Sequence, residues 1–162
     1  MYGMAVKLSG PVQLQETFRD VLVDKPRDLT PVWARITMDF YGIEAEVYAA
    51  QGAAHGGTKW PELSEQYAAW KAKHFPGAQI GVLTGMTREA LTGPGAASIV
   101  EMSPQRLALG ASWQRGEWDI PGLLDTGTEK MPARDPIPSM LGSTKSRWVG
   151  WIGDHLMEEV AA

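Results

Sequence analysis

A chain of 162 residues, 44% hydrophobic and 21% charged, has the size and balance of one globular domain that buries a core without disulfides or metals. Cysteine is absent, which excludes a disulfide framework and thiolate chemistry. The formal charge of −4 argues against a DNA-coating protein, and the chain contains neither an apolar run of membrane-spanning length nor a basic-then-apolar leader.

Val12, Leu14, Phe18, Val21 and Leu22 are spaced for one face of a helix, with Pro11 acceptable in its first turn. "DKPRDLT" interrupts it. Thr30 then Pro31 form a cap-and-first-turn pair that opens a longer helix. Val32, Ile36, Phe40, Ile43 and Val47 give that helix a buried stripe running to about Ala50, and Gly52 suits its C-terminal stop.

"GAAHGGTK", residues 52 to 59, approaches the phosphate-loop pattern G-x-x-x-x-G-K-[ST], but Thr58 and Lys59 stand in reversed order. The stretch also follows a predicted helix, where a phosphate loop leaves a strand. A nucleotide- or nucleic-acid-handling protein built on this loop is the alternative of another class, tested by binding of ATP with magnesium and of DNA.

Residues 52 to 84 are the least regular part of the chain and are read as a flexible arm. "LSEQYAAWKAKH" within it has three turns of helix, with Ser64 as cap. Trp60, Tyr67, Trp70 and Phe75 mark the arm as functional or as folded back on the core. "TGMTREALTG" reads as a short helix. "ASIVEM" and "QRLALGA" read as two strands of a β-hairpin, with Ile99, Leu107 and Leu109 apolar and Glu101 and Arg106 on solvent faces. Residues 112 to 138 are rich in Gly and Pro and read as irregular connection with at most one short strand. Ser143 to Val160 form a terminal helix with Trp148, Val149, Ile152, Leu156 and Val160 on its buried side, and Trp151 widens the stripe. The order predicts one α+β domain over 1–162: a small antiparallel β-sheet packed with two N-terminal helices and a C-terminal helix, with the arm between the second helix and the sheet.

Catalytic and metal constellations are missing from the pattern. His55, His74 and His155 have no metal-ligand spacing, and "GAS" at 110 to 112 is only half of a hydrolase elbow. Glu44 and Glu46 stand two apart on a helix and do not share a face. No cofactor, metal or enzymatic activity is expected.

Anchors for assembly are present instead. Tryptophan and arginine bring large area or rigid multidentate bonding to interface centres. Trp60, Tyr67, Trp70, Trp113, Trp118 and Arg134 are the candidate subunit-interface residues. Arg134, in "MPAR", is placed either in a surface salt bridge or against a neighbouring subunit.

Three segments carry a resemblance. "GGTKWPELSEQYAAWK" is similar to G-x-x-W-x-x-L-S-x-x-Y/T-x-x-x-K, and "VLTGMTREAL" to the segment that follows it. "LALGAS" then "LLDTGTEKMPARDPIPSML" is similar to a V-G-T strand, an H-Q-F/W-G-T turn and M-P-A-R-P-F-L-G, without the turn histidine and with Asp135 after "MPAR". In order and spacing, from about residue 10 to 160, the chain resembles the phage virion morphogenesis, or tail completion, family. The resemblance implies a non-enzymatic structural protein of the virion neck, assembled in the bacterial host cytoplasm and acting in tail completion and head–tail joining. A tail terminator that caps the tail tube is the alternative within that class. Implied partners are further copies in a homo-oligomeric ring, sixfold to match the tail, and neighbouring neck and tail proteins. Genome DNA would pass through an anionic lumen without specific binding, and no membrane partner is implied. In that setting the 52–84 arm would bury Trp60, Tyr67 and Trp70 on a neighbour, its ordering cost met only on contact.

Overall fold

The computed structural model describes residues 5–8, 28–82 and 84–161. In chain order these hold β1 (Ala5–Leu8), α1 (Thr30–Ala49), α2 (Glu65–His74), α3 (Met86–Thr92), β2 (Ser98–Ser103) and β3 (Arg106–Ala111). They continue with β4 (Gln114–Arg115), β5 (Trp118–Asp119), α4 (Ile120–Thr126) and α5 (Gly142–Ala161). The architecture is α+β, as the pattern of elements predicts. The helix expected around Val12 to Leu22 lies outside the described residues.

α1 forms where its apolar stripe demands. Val32, Ile36, Phe40, Ile43 and Val47 are all buried, joined by Trp33 and Tyr48. Pro31 sits in its first turn, where a missing amide costs nothing. Its start differs from expectation: Thr30 is the first helical residue and not the cap, Leu29 at the cap position makes no side-chain bond, and Asp28 Oδ1 accepts the Thr30 amide at 2.9 Å. The Leu29 amide donates to Pro104 O and Trp33 Nε1 to Ser103 O, so the start of α1 is tied to the β2–β3 turn.

The expected hairpin is present. β2 and β3 pair antiparallel from Ser98↔Ala111 to Ser103↔Arg106. Arg106 and Glu101 face solvent and pair at 3.1 Å, while Leu107 and Leu109 are fully buried. β1 adds a parallel edge to β3, giving the order β1-β3-β2. That edge had no counterpart in the sequence reading, because a four-residue strand offers too few positions for periodicity to register. With a neighbour on each side, β3 buries four consecutive residues, Leu107 to Gly110.

α3 packs on α1 and on β2 and β3, and α5 packs on α1. Trp148, Ile152 and Leu156 form the buried side of α5, with Trp151 half-buried beside them. The 112 to 138 connection is more regular than expected. It contains the short β4–β5 ladder and α4, whose start is set by Pro121. No helix among the described residues is long and apolar enough to cross a membrane.

Candidate functional site

α2 is capped as its sequence predicts, Ser64 Oγ accepting the Tyr67 amide. It nonetheless buries only one side chain, and that one is charged: Lys71 is 4% exposed. Tyr67 and Trp70 are stacked with centroids 5.5 Å apart, and Trp70 stacks on His74 at 4.8 Å. Both aromatic rings remain about two-fifths exposed, Tyr67 at 41% and Trp70 at 42%. The apolar surface of α2 thus faces outward.

Beside α2 opens a cleft of about 210 Å³. Its walls come from α2, the start of α3, the β4–β5 ladder and α4. Val82, Met86, Ile120, Leu123 and Leu124 supply apolar surface, while Lys71, Arg88, Arg115 and Arg134 bring four cations. No Asp or Glu lines it among the described residues.

Arg134 reaches the cleft from the segment that precedes α5. It is 4% exposed, and its guanidinium donates to the carbonyls of Pro61 at 3.0 Å, Glu62 at 3.2 Å and Pro132 at 3.5 Å. Its own amide donates to Leu124 O at 2.6 Å. Arg134 therefore staples the stretch before α2 and the end of α4 from inside, where the sequence left a surface salt bridge or a neighbour's surface as its place. The residue's rigid fork suits this binding of several carbonyls at once. Lys71 Nζ donates to Gln79 O. Burial lowers the pKa of Lys71, and the neighbouring Arg134 charge lowers it further; burial likewise lowers Arg134, opposed by Tyr67 and Glu62.

The other candidates divide. Trp113 is half-buried, lines the cleft and donates from Nε1 to Thr87 Oγ1 at 2.8 Å, tying the end of β3 to α3. Trp118, on β5, is 62% exposed. Trp60 lies in the core at 4% exposure, edge-on to Tyr48 at 5.1 Å, so it is not available to a neighbour in this conformation. The structure brings Tyr67, Trp113 and Arg134 together in one cleft, places Trp70 and Trp118 on the surface outside it, and sets Trp60 apart.

Residues 52 to 59 serve Trp60. Gly52, at φ +89°, lies so close to the indole that an added Cβ would stand 2.6 Å from Cδ1. Amides that a phosphate would need are spent within the chain: Gly52 donates to Val47 O and Gly57 to Ala54 O. Lys59 pairs with Glu62 at 3.3 Å on the surface. The stretch follows α1 and is not followed directly by a helix, which removes the geometry of a phosphate loop.

One group escaped the sequence reading. Glu44 is fully buried, with both carboxyl oxygens lacking hydrogen-bond partners, as does Tyr48 Oη one turn later. Burial pushes the Glu44 carboxyl well above the usual range, and the Asp135 charge adds to the effect. Glu46 does face elsewhere, pairing with His55 at 2.7 Å. The signal for Glu44 was its place four residues after Phe40, on the apolar stripe.

Among the described residues no cluster of three or more His, Asp or Glu is arranged to hold a metal. No protein-family model, no curated protein and no solved structure matches the chain.

Proposed function

We propose that this chain is a structural, non-enzymatic subunit of a tailed-phage virion, acting as a ring component in tail completion and head–tail joining at the neck. Motif order from the 56–71 stretch to "MPAR" supports the reading. The structural observation that carries it is the outward face of α2. A helix that buries one lysine while it stacks Tyr67, Trp70 and His74 at the surface presents an aromatic face without a partner in its own fold. Exposed aromatic surface of that kind is what protein–protein contacts cover.

Electron microscopy of a lysate from a phage lacking this gene tests the role. Full heads separate from tails of normal length are the expected outcome. Tails of uncontrolled length would transfer the chain to tail termination, and intact infectious particles would end the neck assignment.

A further inference from the structure

We propose that the cleft between α2, α3, the β4–β5 ladder and α4 is the acceptor for the Glu117–Trp118–Asp119 edge of a second copy of this chain. The contact deepens the ring-subunit reading by naming where copies would meet, and it is tested separately from it.

The acceptor is defined by its charges. Lys71 and Arg134 are each 4% exposed and repel one another, yet no carboxylate lies within ion-pair distance of either among the described residues. Carbonyl oxygens take one of the three ammonium donors and three of the five guanidinium donors. Half-buried Arg88 and exposed Arg115 add two more cations to the lining. Buried charge is stable when paired, and this pair has carbonyl dipoles in contact with it and only the longer-range charge of the surface residue Glu62 beyond them. The ligand chemistry that fits is an apolar group for the floor with carboxylates beside it. A single water needs about 10–15 Å³ on the same measure, so a cleft of about 210 Å³ has room for a side chain.

The chain carries that chemistry on its own surface. Trp118 is the most exposed aromatic side chain among the described residues, at 62%, and its neighbours Glu117 and Asp119 are exposed acids. Trp118 and Asp119 form the far strand of a two-stranded ladder, and Glu117 lies in its turn beside Gly116, where φ is +64°. A copy does not fill its own cleft this way: Arg115 and Ile120, which flank the acidic edge in sequence, form the cleft wall, and Trp118 is not part of the lining. The occupant therefore comes from another copy. Edge and cleft are different surfaces, so the contact is heterologous, and its repetition closes a ring when the rotation permits.

The test is sedimentation of the full chain over a range of concentrations and salt, with circular dichroism to verify folding. Wild type is expected to associate, and more weakly as salt rises. Trp118→Ala, which removes a solvent-exposed side chain, and Arg88→Glu, which reverses a cleft cation, are each expected to weaken association at least tenfold. Mixing the two variants is expected to restore a one-to-one complex, through the intact edge of one and the intact cleft of the other. If Arg88→Glu does not fold, Met86→Glu, at a 37% exposed position of the cleft outside the ladder, replaces it. Association untouched by Trp118→Ala, or variants that fail to complement, would overturn this contact and leave a ring built through another surface. A wild-type chain that stays monomeric throughout would also overturn it, with the neck role then resting on the micrographs alone.

Discussion

Trp60 Nε1 donates to the main-chain oxygen of Asp135 at 3.0 Å, joining the stretch after α1 to the segment that leads into α5 across 75 positions of sequence. The Trp60 amide also donates to Gln51 O at 2.8 Å, so side chain and backbone fix the same turn. Trp60→Phe keeps most of the apolar burial and strands the Asp135 carbonyl, a loss of about 1–3 kcal/mol. Trp60→Ala adds a cavity and is expected to cost about 3–5 kcal/mol. Urea denaturation of the two variants should separate these contributions.

Gly81 and Gly77 both have positive φ, +74° and +82°, but differ in what surrounds them. A Cβ on Gly81 would lie 2.8 Å from Trp60 Cζ3, while one on Gly77 would meet nothing within 4 Å. Gly77→Ala is therefore expected to cost only the left-handed backbone strain, about 1–2 kcal/mol. Gly81→Ala adds displacement of the indole and should be less stable than Gly77→Ala. Equal losses in thermal melts would contradict the packing of Trp60 on Gly81.

These positions show how far the chain could be read without coordinates. The stripe of α1, the cap of α2, the hairpin and the buried face of α5 repeat within a few residues, and such periodicity is visible in the sequence. The glycines around Trp60 were visible too, but their purpose was not, because it depends on an indole contacting Gly52 and Gly81 from different parts of the chain. Arg134 was singled out as a candidate subunit-interface anchor, yet it is buried in its own chain, and its direction is set by carbonyls more than 70 residues away. The cleft assembles from four elements, and no local pattern encodes that meeting. Glu44 sits where the period predicts an apolar side chain, and pattern alone cannot say that a carboxyl occupies the core.

Glu44 gives the fold a pH dependence. Its folded pKa is raised above the usual carboxylate value of 4.5 by burial and then by Asp135, so above pH 4.5 the folded chain holds a proton that the unfolded chain releases. Stability then falls as pH rises from 4.5 to the folded pKa, at no more than about 1.4 kcal/mol per pH unit for one proton. Asp135 and Asp125, also raised by burial, act in the same direction. Glu44→Gln should flatten the profile and exceed wild type most at the alkaline end of that window. Glu44→Met, which removes two unpartnered oxygens, should stabilise by about 1–3 kcal/mol. Chemical denaturation between pH 5 and 8 measures both, and a wild-type stability that climbs with pH would refute the assignment.

Asp39 joins α1 to α5 through one oxygen: Oδ2 accepts from Trp148 Nε1 and from Arg147 Nη2, each at 2.6 Å. The two donors are not equivalent. Trp148 is 3% exposed, so its indole N–H has little water to replace the carboxylate. Arg147 has an exposed side chain, and its guanidinium also lies 5.8 Å from the Trp151 ring, a face that Arg35 covers more closely at 3.9 Å. Asp39→Ala should cost about 1.5–3 kcal/mol, as expected for a charge-assisted bond to a buried donor. Arg147→Ala should cost about 0–1 kcal/mol, the range of an exposed ion pair, and that small loss should shrink in high salt. A double-mutant cycle between Asp39→Ala and Trp148→Phe isolates the indole bond. A coupling energy near zero would mean that helix packing alone holds α5 on α1.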